Sequence, residues 1–136
     1  MMDLGTAMRL ATSGMKAQSA RMRVTAENLA NVKSTAQVPG GDPYRRKTIT
    51  FAGKRDRELG AELVAVKSYG LDRGDFELRY EPGHPAADTA GYVKYPNVNA
   101  FIELMDMREA QRSYEANLSA LGVARSLQQK IIDLLR

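Results

Sequence analysis

The side chains with the most reactive chemistry in this sequence are one histidine and a row of carboxylates. His84 stands between Pro82-Gly83 and Pro85, with one carboxylate, Asp88, four residues further on. One imidazole and one carboxylate are too few ligands for a metal ion, and no nucleophile accompanies them. We therefore interpret His84 as a loop residue hydrogen-bonded to the backbone. The sequence predicts no catalytic, metal-binding or cofactor-binding residue, and no cofactor.

The carboxylates are spaced for ion pairing. Glu103, Asp106 and Glu109 lie on adjacent turns of a predicted helix, and arginines are interleaved with them. This spacing favours ion pairs three or four residues apart, on a solvated or intersubunit face, over acid–base catalysis. The sequence also contains no cysteine, which excludes disulfides and a thiolate nucleophile. An enzyme is therefore the least supported class of function.

Clusters of basic residues raise the alternative of a nucleic-acid-binding protein. The net charge is +4, from 20 basic and 16 acidic residues. No recognisable nucleic-acid-binding module or aromatic ladder accompanies the clusters. Residues 1–60 carry 11 basic and 5 acidic groups, and residues 61–136 carry 9 and 11. Charge pairing between the two halves, or between neighbouring copies, is therefore the simpler interpretation. The clusters are Arg21 with Arg23, residues 44–47 and residues 54–57.

The first of the elements that must position these residues is a long N-terminal helix. Apolar and small residues recur at alternating steps of four and three, which predicts a helix over residues 4–32 that pairs with other helices. It would be about 43 Å long. The seam consists mainly of methionine and small side chains, and a second row of small residues would let another backbone approach. The seam residues are Leu4, Met8, Ala11, Met15, Gln18, Met22, Thr25, Leu29 and Val32.

The middle of the chain combines a loop with a small β-rich insert. Residues 34–43 lack periodicity and are rich in glycine and proline, as loops are. Phe76, Leu78 and Tyr80 alternate with charged residues, which predicts a half-buried strand. An insert of this size is marginally stable alone. Further extended segments are predicted at Arg46–Phe51, Leu63–Val66 and Tyr92–Pro96.

A second long helix follows, from about Val98 to the end of the chain. Its apolar residues mark one broad face, and Asn97 and Asn99 are candidate N-caps. We therefore predict an α+β fold, in which long N- and C-terminal helices form a coiled-coil-like bundle with a small β-rich insert between them. The predicted regions are residues 1–33, 34–97 and 98–136.

The two helices present more apolar and small-residue surface than one chain of this kind can bury. This excess indicates that the helices pack against helices of other subunits in a multi-subunit bundle. Two alternatives remain: a self-contained helical hairpin capped by the insert, and a regulatory coiled-coil protein. The first twenty residues include charged side chains and no continuous apolar stretch, so we expect neither a cleaved signal peptide nor a direct membrane span.

Several strings in the sequence resemble the FlgC family of flagellar proximal rod proteins. The match covers nearly the whole chain and is poorest over residues 53–75 and the last ten residues. The matching strings are residues 27–31 (ENLAN), 40–47 (GGDPYRRK), 80–88, 91–99, 103–107 and 112–117. The motif residues that we single out are Asn28, Asn31, Tyr44, Pro82, Gly83, His84, Pro85, Gly91, Tyr92, Pro96, Asn97 and Asn117.

The resemblance implies a structural subunit of the proximal rod and not an enzyme. Such proteins are exported without a cleaved signal peptide and lie in the periplasmic rod of the flagellar basal body. Their N- and C-terminal axial helices pack into a tube around the export channel. The implied partners are further copies of the chain and FliE-, FlgB- and FlgF-type rod proteins, with the membrane ring as a further contact and no nucleic acid.

The same resemblance implies an assembly interface on the helices. We expect the methionine seam to pack against the C-terminal helix of the same or an adjacent subunit. If the helices are antiparallel, Arg21 and Arg23 should meet Glu115 or Glu109. Asn28, Asn31 and Asn117 would supply helix-end or interhelical hydrogen bonds, and solvent exposure is an equal alternative for Asn117. The expected interface is Leu4, Met8, Met15, Met22, Leu29, Arg21, Arg23, Glu115, Tyr114, Leu118, Leu121 and Ile131.

Overall fold

A computed structural model describes residues 3–136. The order of its elements, helix, four strands, helix, confirms the predicted α+β class. The elements are α1 (Leu4–Ala30), β1 (Lys47–Asp56), β2 (Ala61–Leu71), β3 (Glu77–Tyr80), β4 (Tyr92–Tyr95) and α2 (Ala100–Leu134).

Helix α1 is bounded at both ends by short polar side chains. The Asp3 carboxylate Oδ1 accepts a hydrogen bond from the Thr6 amide at 2.7 Å, which satisfies a free N–H of the first turn. At the other end, the Asn31 side chain donates to the Glu27 carbonyl at 2.8 Å. The helix ends at Ala30 and a turn covers residues 31–33, so the predicted end at Val32 is two residues too late.

Helix α2 begins at one of the two predicted caps. The Asn99 side-chain oxygen accepts from the amides of Phe101 at 3.0 Å and Ile102 at 3.3 Å. Asn97 has a different role, because its side-chain oxygen accepts from the Arg46 amide at 2.8 Å. The helix then continues for 35 residues without an interrupting proline.

The four strands form two separate two-stranded sheets, β1–β2 and β3–β4. Only residues 57–60 connect β1 to β2, which requires an antiparallel pair, and Gly60 in this turn has a φ of 63°. The predicted extended segments all lie within or next to these strands. However, β1 and β2 contain 10 and 11 residues and extend well beyond the predicted segments.

The burial of β3 differs from the prediction. Leu78 and Tyr80 are 60% and 65% exposed, whereas Val93 and Tyr95 of β4 are buried. In the antiparallel register Leu78 faces Lys94 and Tyr80 faces Tyr92, so these four side chains share the outer face. The inner face, which carries Val93 and Tyr95, packs against Ala36, Ala86 and Ala87. The alternation in β3 therefore predicted a strand correctly but assigned the wrong face to the core.

The chain divides into two compact units. The first contains α1 up to Met22, Ile49–Ser68 and Arg108–Arg136, and the second contains Arg23–Thr48 and Tyr69–Met107. Each long helix therefore contributes residues to both units. Within residues 3–136, neither helix has the length and apolar content needed to cross a membrane.

Candidate functional site

The side-chain amide of Asn28 is the centre of a buried hydrogen-bond network in the second unit. Asn28 is 0% exposed. Its oxygen accepts from the Tyr44 hydroxyl at 2.7 Å and from the Lys47 amide at 2.9 Å. Its nitrogen donates to the Lys47 carbonyl at 2.9 Å and to the Glu103 carboxylate at 3.4 Å. Both donors and both acceptor positions of the amide are therefore used, and the end of α1 is fixed to β1 and α2.

Glu103 and Arg46 form the charged part of this network. Glu103 is only 1% exposed, and the Arg46 Nε donates to its second carboxylate oxygen. Other nitrogens of Arg46 lie 3.6 Å from Asp72 and 3.9 Å from Asp106. Burial alone would lower the pKa of Arg46, but its hydrogen bond to Glu103 and the three nearby carboxylates raise it. The guanidinium therefore remains charged. We call Asn28, Tyr44, Arg46, Lys47 and Glu103 the Asn28 network.

This arrangement corrects the interpretation of Glu103 as one of a row of carboxylates on a solvated or intersubunit face, because Glu103 is buried within the chain. Its neighbour in that row, Glu109, is 70% exposed and agrees with the expectation. The difference follows from their positions on the helix. Glu103 is separated by successive steps of seven from Ala110, Asn117 and Ala124, of which the two alanines are buried and Asn117 is partly buried. That spacing was the available signal that Glu103 lies on the inner face.

Tyr44 is held as a neutral hydrogen-bond donor. Burial raises its pKa, and the negative charges of Glu27 and Glu103 raise it further. Because loss of the proton would place a phenolate near these carboxylates, the hydroxyl keeps its proton and its bond to Asn28. The Tyr44 amide also donates to the Ser34 carbonyl at 3.0 Å, which ties the loop after α1 to the network.

The rest of the basic string 44–47 is also engaged inside the second unit. The Arg45 guanidinium donates to the carbonyls of Asp72 at 2.8 Å and Gly74 at 2.9 Å, and it lies 4.2 Å from the centre of the Phe76 ring. Asn97 donates to the same two carbonyls. Lys47 Nζ lies 2.6 Å from the Glu27 carboxylate. This cluster therefore has structural partners in the chain, which removes the main reason to assign it to a phosphate backbone.

The loop that precedes β4 contains most of the remaining motif residues. The His84 Nδ1 accepts from the Ala86 amide at 3.0 Å, which confirms His84 as a loop residue bonded to backbone. Gly91 has a φ of 87°, and a Cβ there would lie 2.8 Å from the Tyr80 ring. Glycine is therefore required for the loop to close against Tyr80. The rings of Tyr80 and Tyr92 meet edge to face at 5.3 Å. The prolines at 82 and 85 and Gly83 are exposed, and Pro96 is buried.

In the first unit, the two helices are antiparallel. The expected pair of Arg21 and Glu109 is present at 3.2 Å. Seven residues before Arg21 on α1, a Cβ on Gly14 would lie 2.8 Å from the Asn117 side chain. Because glycine has no Cβ, it leaves room for this amide. Asn117 donates to the Ser113 carbonyl of its own helix at 3.0 Å. Arg23 is exposed and belongs to the second unit, and Glu115 is exposed.

The helix contacts of the first unit are made by small residues. Among its described residues the buried apolar side chains are all alanine: Ala11, Ala17, Ala110 and Ala124. The methionines of the predicted seam flank these contacts and are partly buried. The partly buried members of the expected interface are Leu4, Met8, Met15, Arg21, Met22, Leu29, Tyr114 and Leu121. Its exposed members are Arg23, Glu115, Leu118 and Ile131.

The last part of α2 is exposed on all sides. Every residue from Arg125 to Arg136 is exposed. The large apolar side chains in this stretch are Leu127, Ile131, Ile132, Leu134 and Leu135. At 100° per residue these side chains form one face about 160° wide, and an apolar face left in water by a single chain is typical of a contact surface.

Family models match both helical regions of the chain. A model described as flagella basal body rod protein matches residues 8–36, which include Asn28 and most of α1. A second, described as flagellar basal body rod FlgEFG protein C-terminal, matches residues 89–134, which include β4 and all of α2 with Glu103. The architecture and these matches define a protein of the flagellar basal-body rod class.

Full-length relatives narrow this class. The flagellar basal-body rod protein FlgC of Agrobacterium fabrum is 54% identical over 133 residues, which cover 98% of this chain and 96% of the relative. The FlgC proteins of Salmonella typhimurium (39% identity, 92% of each chain) and Borreliella burgdorferi (35%, 99% of each) are similar over comparable spans. The chain therefore belongs to the FlgC family of flagellar basal-body rod proteins. It is a structural subunit of the rod.

Proposed function

We propose that the chain assembles into the proximal part of the rod through the exposed faces of α1 and α2, which form a tube around the export channel. The observation that carries this proposal is the exposed end of α2. Its large apolar side chains are between 44% and 84% exposed, and burying them against neighbouring subunits would remove apolar surface from water.

The composition of the helix contacts supports the same proposal. Alanine contacts bury little apolar area, so they contribute little free energy to a single chain. The flanking methionines are flexible and polarizable, and they can pack against neighbours of different shape. A subunit that must meet unlike neighbours in a stack benefits from this property.

The Asn28 network supports a separate role for the second unit. It joins the end of α1 to the start of α2 through satisfied polar contacts, so the insert is fixed to both helices at the point where they enter it. In the proposed assembly this unit stays outside the tube and does not carry out catalysis.

The proposed partners are further copies of the chain and rod proteins of the FliE, FlgB and FlgF types, with the membrane ring as an additional contact. The proposed location is the periplasmic portion of the basal body, reached by flagellar export without a cleaved signal peptide. The family assignment and the uncovered helix surfaces are the support for this placement.

The proposal is tested by replacing Ile131, which is 50% exposed, with aspartate. Ile131→Asp should leave the circular dichroism of the purified chain unchanged, because the side chain has few contacts to lose. In cells that lack the native protein, it should not be recovered in purified basal bodies and should not restore swimming. Gln128→Asp, at a polar position that is also exposed on the same helix, serves as the matched control. Normal incorporation of Ile131→Asp would contradict assembly through this surface.

A further inference from the structure

A groove in the first unit combines apolar and cationic side chains. It has a volume of 420 Å³, and its lining comes from α1, β2 and α2. Among the described residues, eight line the groove; three are basic and none is acidic. We call it the basic groove. The apolar lining residues are Met8, Leu63 and Leu121, the basic ones are Arg9, Lys16 and Arg125, and Thr12 and Ser13 complete the set.

The charges of the basic groove are not neutralised inside the chain. Its three basic side chains are exposed, and none of them forms an ion pair within residues 3–136. Residues 4–26 of α1 include four basic residues and no acidic one. The hydroxyls of Thr12 and Ser13 donate to carbonyls of their own helix, each at 2.9 Å. The side-chain donors left for a partner are therefore the three cations, which select a partner with negative charge.

The second unit of another copy does not offer this charge beside its exposed apolar residues. On β3, Glu77 lies 3.1 Å from Arg79, and both are on the face opposite Leu78 and Tyr80. At the start of α2, Glu103 is surrounded in sequence by exposed apolar residues but is itself buried. Neither surface is therefore both apolar and acidic.

The exposed end of α2 is also a poor match for the basic groove. Residues 125–136 contain three basic residues and one acidic residue. At 100° per residue, Lys130 borders the apolar face of this helix, whereas Asp133 lies on the opposite side. The Asp133 carboxylate also accepts a hydrogen bond from Gln129 at 3.1 Å. A second copy that docked through this face would bring a cation to the groove, so the charges favour a different polypeptide.

The form of the basic groove favours a helix as the bound segment. Its α1 side extends from residue 8 to residue 16, which is about 12 Å or two helical turns. A groove between packed helices accepts the side-chain ridge of a further helix. A nucleic-acid backbone would leave the three apolar lining residues uncovered, and the flat surface of a bilayer does not fit a concave site.

We propose that the basic groove binds an acidic, amphipathic helix of a different polypeptide. The apolar side chains of this helix contact Met8, Leu63 and Leu121, and its carboxylates pair with the three cations. Burial of apolar surface supplies the affinity, and charge selects the partner. The inference rests on the proposed function and deepens it, because it specifies the chemistry of one partner in the assembly.

Two synthetic helices with the same leucine stripe test the charge requirement. One carries glutamates beside the leucines, and the other carries lysines at the same positions. Fluorescence anisotropy at low salt measures their binding to the full chain, which should bind the glutamate helix at least about tenfold more tightly. Lys16→Glu should weaken binding of the glutamate helix about tenfold. Lys54→Glu, the same charge change on the exposed β1–β2 hairpin, should weaken it less than about twofold.

Further probes separate this contact from simpler ones. A glutamate helix with serines in place of the leucines should not bind, because the apolar contact is lost. Vesicles of anionic phosphatidylglycerol should not bind through Lys16. The proposal would be overturned by equal binding of the glutamate and lysine helices, by equal effects of Lys16→Glu and Lys54→Glu, or by binding of the serine helix. Vesicle binding that Lys16→Glu abolishes, without binding of the glutamate helix, would assign the groove to lipid instead.

A photoreactive amino acid at position 12 identifies the natural occupant in assembled basal bodies. Thr12 is exposed and lines the basic groove. Mass spectrometry of the cross-linked product should find a segment of another protein with more acidic than basic residues. The same probe at Ser119, on the opposite side of α2 from Leu121, should not label that segment. A cross-link to another copy of the chain or to a basic segment, or no cross-link, would contradict the proposal.

The outcomes separate this contact from the wider proposal. If the wild-type chain does not bind the glutamate helix but is recovered in basal bodies, the groove contact is wrong and assembly through α2 stands. If Ile131→Asp is incorporated normally while the synthetic helices behave as expected, the groove contact stands and assembly through the end of α2 is wrong.

Discussion

The two units of this rod subunit are stabilised in different ways. The second is held by buried polar groups whose hydrogen bonds are all satisfied, with the Asn28 amide bonded to three segments of the chain. The first is held by alanine contacts between antiparallel helices and leaves large apolar side chains in water. Polar networks demand one geometry, because a misplaced buried group loses its partner. Alanine contacts tolerate small shifts. The contrast indicates a second unit whose polar contacts fix one geometry and a first unit whose contacts leave large apolar side chains in water.

The largest expected effect compares two glutamates on α2, one in each unit. Glu103→Leu should lower the free energy of unfolding by about 3 kcal/mol, because it removes the buried carboxylate that pairs with Arg46 and leaves one N–H of the buried Asn28 amide without an acceptor. Glu109→Leu breaks only the exposed pair with Arg21 and should cost less than about 1 kcal/mol. Urea unfolding followed by circular dichroism measures both. Equal losses would remove the distinction between the units.

A second pair compares two glycines. Gly91→Ala should destabilise by about 2 kcal/mol, because alanine disfavours a φ of 87° and its Cβ would overlap the Tyr80 ring. Gly122 lies in α2 of the first unit, and no atom is within 4 Å of a Cβ placed there. Gly122→Ala should therefore stabilise the chain by up to about 1 kcal/mol through helix propensity. Thermal unfolding of both variants gives the sign of the change in stability that each substitution causes. A stabilising effect of Gly91→Ala would show that the loop is not constrained.

The smallest effect concerns Tyr44. Tyr44→Phe should cost about 1 kcal/mol near pH 7, because it removes the donor to the Asn28 oxygen. Its folded-state pKa is raised by burial and by nearby carboxylates, so the folded chain retains a proton that the unfolded chain loses first. The Tyr44 hydroxyl therefore makes its full contribution to the free energy of unfolding below the ordinary tyrosine pKa of about 10. That contribution is lost as the pH rises through the higher folded-state pKa.

The measurement is urea unfolding between about pH 8 and pH 11. The difference between the wild type and Tyr44→Phe should shrink above about pH 10. Tyr69→Phe, at an exposed position, is the control and should show the wild-type pH dependence. If the difference in the free energy of unfolding between the wild type and Tyr44→Phe stays constant across this range, the pKa of the Tyr44 hydroxyl does not change on folding.

Periodicity in the sequence was sufficient to predict both helices and the α+β class, because a helix face is a local pattern. The full lengths of β1 and β2 could not be predicted in this way. Residues such as Ala52–Arg55 are exposed in the structure, so no alternation between buried and exposed side chains marks them as strand. The start of α2 was predicted because an N-cap is also local.

The Asn28 network was not predictable from local pattern. Its hydrogen bonds join residues that are 16, 19 and 75 positions apart in the sequence. Asparagine is usually exposed, so the residue type does not indicate that Asn28 is buried. The motif resemblance singled out Asn28 and Tyr44 but not Arg46 and Glu103. The spacing of seven residues between Glu103 and Ala110 is the one local signal for the buried carboxylate, and the charge of Glu103 alone predicts the opposite.

The long separation between Asn28 and Glu103 has a consequence for the timing of folding. In a chain delivered with its N-terminus first, Asn28, Tyr44 and Lys47 arrive together, and their mutual hydrogen bonds span at most 19 residues. Arg46 has no buried carboxylate to bond until residue 103 follows. Closure of this site therefore requires that the polypeptide has been delivered at least as far as residue 103, and a copy that ends earlier lacks the carboxylate that pairs with Arg46.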